Sequence, residues 1–200
     1  MKPYSTSCDQ NRDPIFGVIQ KLFKDKKHIL EIGSGTGQHA VYFAKKMPHL
    51  IWQCSDQVAY HDGINQWLDE ARLNNTRQPL ALNVSTDNWP KLDIDAIFSA
   101  NTVHIMHWEN VRDFFKRAGK LLPNKGLLVL YGPFNYNNDY TSESNARFDD
   151  WLKQRDPKSG IRNFEDIDKL AQQAGLFLRD DFNMPANNRI LSWEKQDSQI

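Results

Sequence analysis

The sequence predicts an α/β fold, in which a doubly wound, mostly parallel sheet of seven strands carries helices on both faces. Short apolar segments alternate with amphipathic helical segments along the chain. A glycine-rich turn joins the first predicted strand to a helix, at residues 28–47. The last two predicted strands are linked only by residues 184–187, which is too short for a helical crossover. We therefore expect an antiparallel last strand, at the edge of the sheet.

The glycine-rich turn is the strongest functional signal in the chain. The predicted strand runs into it through His28-Ile29-Leu30-Glu31-Ile32-Gly33-Ser34-Gly35-Thr36-Gly37-Gln38. A helix follows, since apolar residues recur at three- and four-residue spacing from Ala40 to Met47. Glycine permits positive φ and close approach of a ligand, and a helix start offers unpaired N–H groups. These features predict a nucleotide-type site at the carboxyl edge of the first strand.

The spacing of the glycines narrows the class of ligand that is expected at this turn. A dinucleotide fingerprint needs G-x-G-x-x-G, and its third glycine would fall on Gln38. The observed G-x-G-x-G, with Glu31 two residues before it, resembles motif one of the class I S-adenosylmethionine-dependent methyltransferases, which have a Rossmann-like fold. The resemblance implies S-adenosylmethionine as cofactor and contacts from Glu31, Gly33, Ser34, Gly35, Thr36, Gly37 and Gln38. An ordinary tight turn or another nucleotide fold is the alternative.

Further cofactor contacts are predicted where the next strands end. Asp56 follows the second predicted strand, residues 50–55, where an acid holds ribose hydroxyls in such folds. The alternative is a loop acid that caps the next helix. Asn83 and Val84 close the third strand, where many class I methyltransferases carry an aspartate and an apolar residue beside the adenine. Asn83 departs from that pattern, although its amide oxygen can accept from the adenine amino group. Asn101, which directly follows the fourth predicted strand, is the last of the predicted cofactor contacts.

A substrate pocket is predicted from three segments at the same edge of the sheet, residues 101–108, 131–140 and 184–188. His104 is the candidate general base, because it follows the fourth strand and would face the methyl group. The alternative is a loop histidine that hydrogen-bonds the backbone. The predicted pocket residues are Arg12, His104, Trp108, Tyr131, Phe134, Tyr136, Asn187 and Asn188. The competing roles are a solvated arginine, core packing for the aromatic residues and turn formation for the asparagines.

The domain prediction is a single unit over residues 1–200, with an N-terminal segment and helix over 1–27 and an α/β core over 28–200. Residues 1–11 are polar and are expected to be mobile unless a ligand orders them. The first helix is predicted to begin with Asp13 as N-cap and Pro14 in its first turn. Ile15 and Ile19 would lie on its buried face.

Composition excludes several classes of protein. Lys+Arg and Asp+Glu are 25 each, which disfavours a nucleic-acid-binding surface and favours a small-molecule substrate. The sequence contains no apolar run of 18 residues, so no membrane span is predicted, and the N-terminus lacks the apolar core of a signal peptide. The two cysteines, Cys8 and Cys54, form no metal-ligand pattern, so no metal site is expected. We expect Cys54 to be a buried thiol, and we expect the protein to lie in the reducing cytoplasm.

Over nearly its full length the chain resembles a bacterial and eukaryotic family of predicted methyltransferases that includes methyltransferase-like 26. The matching stretches are residues 11–15, 30–43, 101–108, 131–134, 144–149, 155–157 and 184–188. The resemblance implies a cofactor site at Glu31 to Gln38 and at Asp56, and it implies no particular reaction. The expected function is S-adenosylmethionine-dependent methyl transfer to a small molecule. The alternatives are a non-catalytic S-adenosylmethionine-binding sensor or scaffold and, third, a nicotinamide enzyme, which Gln38 disfavours.

Overall fold

A computed structural model describes residues 2–85 and 89–196. The helices in these ranges are α1 (Thr6–Leu22), α2 (Gln38–Lys46), α3 (His61–Ala71), α4 (Trp108–Leu121), α5 (Glu143–Arg155) and α6 (Phe164–Gln173). The strands are β1 (His28–Glu31), β2 (Ile51–Asp56), β3 (Thr76–Ala81), β4 (Ala96–Ala100), β5 (Leu127–Gly132), β6 (Phe134–Asn135), β7 (Arg162–Asn163), β8 (Leu176–Met184) and β9 (Asn188–Lys195).

Seven strands form one sheet in the order β3-β2-β1-β4-β5-β9-β8. All are parallel except β9, which runs antiparallel to both of its neighbours. This confirms the predicted mostly parallel sheet with an antiparallel last strand. The expectation that the reversed strand forms the edge is wrong. Because β9 pairs with β5 along Leu127–Gly132, the short link from β8 leaves β8 outside it as the edge strand.

The two faces of the sheet each carry a core. Alternate residues of the central strands point to opposite faces, so Ile29 packs with α1 and α2, whereas Leu30 packs with α4. The first core includes Trp52 and Phe98, and the second includes Trp193, all fully buried. Strands that are apolar on both faces belong in a parallel sheet covered by helices on both sides, as the sequence predicts.

The first helix begins earlier than predicted. It starts at Thr6 rather than after Asp13, and Pro14 lies inside it. Ser5 is the N-cap, and its side chain accepts a hydrogen bond from the backbone N–H of Cys8 at 3.4 Å. The Gln38 side chain also accepts from the Ser5 N–H at 2.6 Å and donates to the Ser5 carbonyl at 3.3 Å. This tertiary contact anchors a polar segment that local sequence signals leave without a partner.

The predicted state of Cys54 is confirmed, since it is a free and fully buried thiol. In the part of the chain that the structure describes, no helix combines the length and apolarity needed to cross a membrane.

Candidate active site

Two adjoining cavities open at the carboxyl ends of β1, β2 and β4. The β2-side cavity has a volume of about 410 Å³ and includes Asp56, Leu82 and Val84 in its lining. The α5-side cavity has a volume of about 680 Å³ and is walled by residues from α1, α5 and the link between β8 and β9. Gly33, Gly35, Ala100, Asn101 and Ile105 line both. The two cavities therefore form one cleft that straddles the glycine loop.

The glycines of the loop answer different constraints. Gly33, Gly35 and Gly37 all adopt positive φ, at 75°, 57° and 89°. A Cβ on Gly33 would lie 2.8 Å from the Thr102 side chain, so a larger residue there would displace the neighbouring loop. A Cβ on Gly35 would meet nothing within 4 Å, because that position faces the open cleft. Gly35 thus keeps space free where a ligand would lie against the backbone.

The first three backbone donors of the loop are already engaged within the protein. The N–H groups of Gly33 and Ser34 both donate to the Ser55 carbonyl at 3.0 Å. The Gly35 N–H donates to the Asp56 carboxylate at 2.8 Å. A pyrophosphate bound here would need free N–H groups and no adjacent carboxylate. The loop suits a ligand without phosphate groups, which agrees with the absence of the dinucleotide glycine spacing.

Glu31 lies beneath the loop and lines neither cavity. It is 2% exposed, and its Oε2 accepts from Ser34 Oγ at 2.8 Å and from Trp52 Nε1 at 3.1 Å. Burial, reinforced by the negative charge of Asp56, raises the pKa of Glu31 to about 7. The predicted contact residue is therefore placed to support the loop from below.

Asp56 lies on the wall of the β2-side cavity. Its carboxylate accepts the Gly35 N–H and, at 2.7 Å, the Gln57 N–H. A carboxylate has about four acceptor sites, so both bonds leave capacity for a ligand. Partial burial raises the pKa of Asp56 above its usual value. Asn83 and Val84 line the same cavity, so these predicted cofactor residues stand together with Asn101.

His104 lies in the wall of the α5-side cavity. It is 6% exposed, and its ring meets the Phe148 ring edge-on with centroids 5.3 Å apart. Within the described ranges, neither ring nitrogen of His104 has a hydrogen-bond partner. Burial, together with the positive charge of Arg162, lowers the pKa of His104 to about 4. The cavity therefore presents a neutral imidazole with one donor and one acceptor to a ligand.

The loop that carries His104 is held in place by the segment after α5. The Gly160 N–H donates to the His104 carbonyl at 2.8 Å, and the Arg162 guanidinium donates to the carbonyls of Val103 and Met106. The buried carboxylate of Asp149 accepts the N–H of residue 161 at 2.6 Å. These bonds fix the backbone around His104 before any ligand binds.

Several cleft residues were not predicted from the sequence. They are Asn11 and His39 on the first two helices and Asn145, Phe148 and Trp151 on α5. His39 Nε2 lies 2.7 Å from Asn11 Oδ1, and burial lowers the pKa of His39 to about 4. Asn11 also interacts with the hydroxyl of Tyr131, whose pKa burial raises to about 12. One signal was available for Asn11, because it lies four residues before Ile15 on the buried face of α1.

The cleft contains only part of the predicted set. Gly33, Ser34, Gly35, Thr36, Asp56, Asn83, Val84, Asn101, His104, Tyr131 and Asn188 line one or both cavities. Gly37 lines neither, since it is the left-handed N-cap of α2 and a Cβ there would lie 3.1 Å from Ile64 Cα. Gln38 is outside the cleft as well, because its side chain is bonded to Ser5.

Five predicted pocket residues also lie outside the cleft, namely Arg12, Trp108, Phe134, Tyr136 and Asn187. The Arg12 guanidinium pairs with Asp9 at 2.6 Å. Phe134 is 2% exposed in the core on the α4 face, where β6 pairs with β7. The Tyr136 hydroxyl donates to Asp181 at 2.9 Å. Asn187 donates to Ser144 at 3.1 Å, and the guanidinium of Arg162 lies 5.8 Å from the Trp108 ring. Each has a structural partner that turns it away from the ligand space.

A family model described as "Protein of unknown function (DUF938)" matches residues 2–195. The structure is similar to a crystal structure of the S-adenosylmethionine-dependent methyltransferase SibL in its apo form, at TM-score 0.81, with 19% identity, over 96% of this chain and 56% of that chain. It is similar to an O-methyltransferase family protein from Burkholderia thailandensis at TM-score 0.84, with 14% identity, over 96% and 58%. A third similar structure is PigF with SAH, at TM-score 0.78, with 14% identity, over 94% and 56%.

These similarities establish the fold, which is the Rossmann-like fold of the S-adenosylmethionine-dependent methyltransferases. The chain spans a little more than half the length of the solved structures it matches, 56% to 58% in these three.

Proposed function

We propose that this chain, which belongs to the DUF938 family, binds S-adenosylmethionine and transfers the methyl group to a small molecule. The carrying observation is the cleft itself, which has Asp56 on one side of the glycine loop and His104 on the other. The similar structures are described as S-adenosylmethionine-dependent and O-methyltransferases, which supports this chemistry. We also propose that the chain is related to the family that includes methyltransferase-like 26.

The cofactor is assigned to the glycine loop and the β2-side cavity. Asp56 would accept hydrogen bonds from the ribose hydroxyls, and Asn83 and Val84 would border the adenine. The backbone at Gly33 and Gly35 would lie along the methionine part, with Ser34, Thr36 and Asn101 beside it. Glu31, Gly37 and Gln38 would act through the shape of the loop. When bound, S-adenosylmethionine supplies an electrophilic methyl carbon on a sulfonium.

The protein's contribution to catalysis is positioning and proton transfer. The α5-side cavity would hold the acceptor against the cofactor, and orientation of the two reactants supplies much of the rate. His104 would take the proton from the acceptor as the new bond forms.

No Lys or Arg among the described residues lines either cavity, which favours a small molecule over nucleic acid. Two free thiols favour a reducing compartment, and we assign the reaction to the cytoplasm.

Isothermal titration with S-adenosylmethionine, its demethylated product, NAD and NADP tests the proposed ligand. We expect the first two to bind and the nicotinamide cofactors to give no heat. Binding of NAD, together with no detectable binding of S-adenosylmethionine at millimolar concentration, would overturn the proposal. A chain that binds S-adenosylmethionine but transfers no methyl group to any acceptor in a broad metabolite screen would be the sensor or scaffold instead.

Replacing Asp56 with alanine is expected to weaken S-adenosylmethionine binding by about tenfold or more, because charge-assisted bonds to the ribose contribute roughly 1.5–3 kcal/mol. Titration of the folded variant measures the effect. Asp56→Asn is the matched variant, since its amide oxygen can still accept the Gly35 N–H. It should recover part of the affinity. Unchanged affinity in Asp56→Ala would leave Asp56 with only its structural bonds to the Gly35 and Gln57 N–H groups.

A further inference from the structure

We infer that the methyl acceptor is an uncharged aromatic compound with a ring hydroxyl, a phenol, and that the methyl group is transferred to its oxygen. The inference rests on the proposed function and specifies the substrate class of the same site. It is carried by the α5-side cavity, through the charge of its lining, its aromatic wall and the unpartnered ring of His104.

The lining of the α5-side cavity carries no charge. Among the described residues that form it there is no Asp, Glu, Lys or Arg. Its two histidines, His39 and His104, are neutral at physiological pH because burial lowers both pKa values to about 4. A charged acceptor would lose its hydration here without meeting an oppositely charged side chain in the lining, which is costly in free energy. The cavity therefore selects an acceptor without a carboxylate, phosphate or ammonium group.

The outer wall of the cavity is aromatic and partly exposed, and the guanidinium of Arg155 lies 4.5 Å from the centre of the Trp151 ring. The rings of Phe148 and Trp151 stack with centroids 5.7 Å apart and an interplanar angle of 17°. Trp151 is nevertheless 47% exposed, and Ile105, which lines the same cavity, is 55% exposed. Large apolar side chains left open beside a concave site are suited to cover a flat apolar ligand. The same cavity is rich in amides, including Asn11 and Asn145, which suit polar ring substituents.

His104 identifies the reacting group. It is more than nine-tenths buried, faces this cavity and has no hydrogen-bond partner for either ring nitrogen in the described part of the chain. A hydroxyl satisfies such a ring by donating to its unprotonated nitrogen. In the transfer step the hydroxyl oxygen forms a bond to the methyl carbon, and the methyl–sulfur bond breaks with its electron pair remaining on sulfur. The hydroxyl proton moves to His104, which then releases it to water.

The acidity of the hydroxyl decides between a phenol and an alkyl alcohol. A weakly basic imidazole can take a proton in the transition state only from a group that is itself moderately acidic. A phenol meets that condition, with a pKa near that of tyrosine, about 10. An alkyl hydroxyl is far less acidic and would need a stronger base, and no Asp, Glu or Lys is among the described residues that line the cavity.

Binding of three matched probes tests the acceptor class without requiring turnover. The probes are 1-naphthol, 1-naphthoate, which carries a charged carboxylate in place of the hydroxyl on the same ring system, and 1-decalol, which keeps the hydroxyl and removes the aromaticity. Each is titrated into the full chain saturated with the demethylated cofactor product. We expect 1-naphthol to bind at least about tenfold more tightly than either of the others. Equal or tighter binding of 1-naphthoate or 1-decalol, with cofactor binding intact, would overturn the acceptor class and leave the proposed function standing. Failure of the chain to bind the cofactor product would overturn both.

A pair of variants ties the probe to the cavity. Trp151→Ala should weaken 1-naphthol binding by about tenfold, since it removes the half-exposed ring of the aromatic wall. Phe177→Ala is the matched control, because Phe177 is an aromatic residue of β8 that is 43% exposed and lines neither cavity. It should leave the affinity unchanged. Equal effects of the two variants would show that 1-naphthol binds elsewhere and would overturn the inference.

Discussion

Replacing His104 with alanine is expected to lower the rate of methyl transfer by about 100-fold or more, while S-adenosylmethionine still binds with unchanged affinity. We expect this loss because His104 lines the α5-side cavity, which is proposed to hold the acceptor, and not the β2-side cavity, which is proposed to hold the adenosine. Single-turnover kinetics with saturating cofactor measures the rate, and titration measures the affinity.

Two further measurements separate proton transfer from packing. His104→Gln keeps a hydrogen-bonding side chain but accepts no proton, so it should remain as slow as the alanine variant. In the wild-type protein, burial lowers the pKa of His104 from 6.5 to about 4. A base must be unprotonated, so the acid limb of kcat/KM should fall near pH 4 and leave the rate flat between about pH 5 and 7. Full activity of either variant would contradict the assignment of His104 as the base.

Replacing Glu31 with glutamine is expected to stabilise the protein increasingly as the pH rises. The folded-state pKa of Glu31 is raised from 4.5 to about 7 by burial. Below pH 4.5 the carboxyl is protonated in both states and costs nothing. Between pH 4.5 and about pH 7, Glu31 holds a proton in the folded state that it has lost in the unfolded state, so the free energy of unfolding of the wild type falls as the pH rises. The full loss is reached above pH 7. The difference amounts to about 3 kcal/mol.

Glutamine removes this loss because it has no charge to bury, and its amide oxygen can accept the two bonds that Glu31 Oε2 makes to Ser34 and Trp52. Urea unfolding of both proteins from about pH 4.5 to 8 gives the free-energy difference directly. Glu70→Gln, at a surface position of α3 where the carboxylate pairs with Lys2, serves as the control for the loss of one surface carboxylate. A difference between Glu31→Gln and wild type that stays constant with pH would show that Glu31 titrates normally.

The lining of the β2-side cavity was predictable because its signals are local in the chain. The backbone torsions of Gly33 and Gly35, and the position of Asp56 at the end of a strand, follow from the residues that immediately surround them. Parallel strands then bring their carboxyl ends to one edge of the sheet, whatever the helices between them look like. Reading the strands in order was therefore enough to group Asp56, Asn83 and Asn101 in one place.

The α5-side cavity depended on the tertiary structure, because its walls come from elements that do not follow a parallel strand. Asn11 lies on a helix whose start depends on a bond from Gln38, and Trp151 lies on α5. Conversely, Phe134 and Tyr136 do follow β5, but the pairing of β6 with β7 and the bond to Asp181 direct them elsewhere. Whether a loop side chain faces a ligand or the core is decided by the partner it meets across the fold. That partner is distant in sequence, so local periodicity carries no information about it.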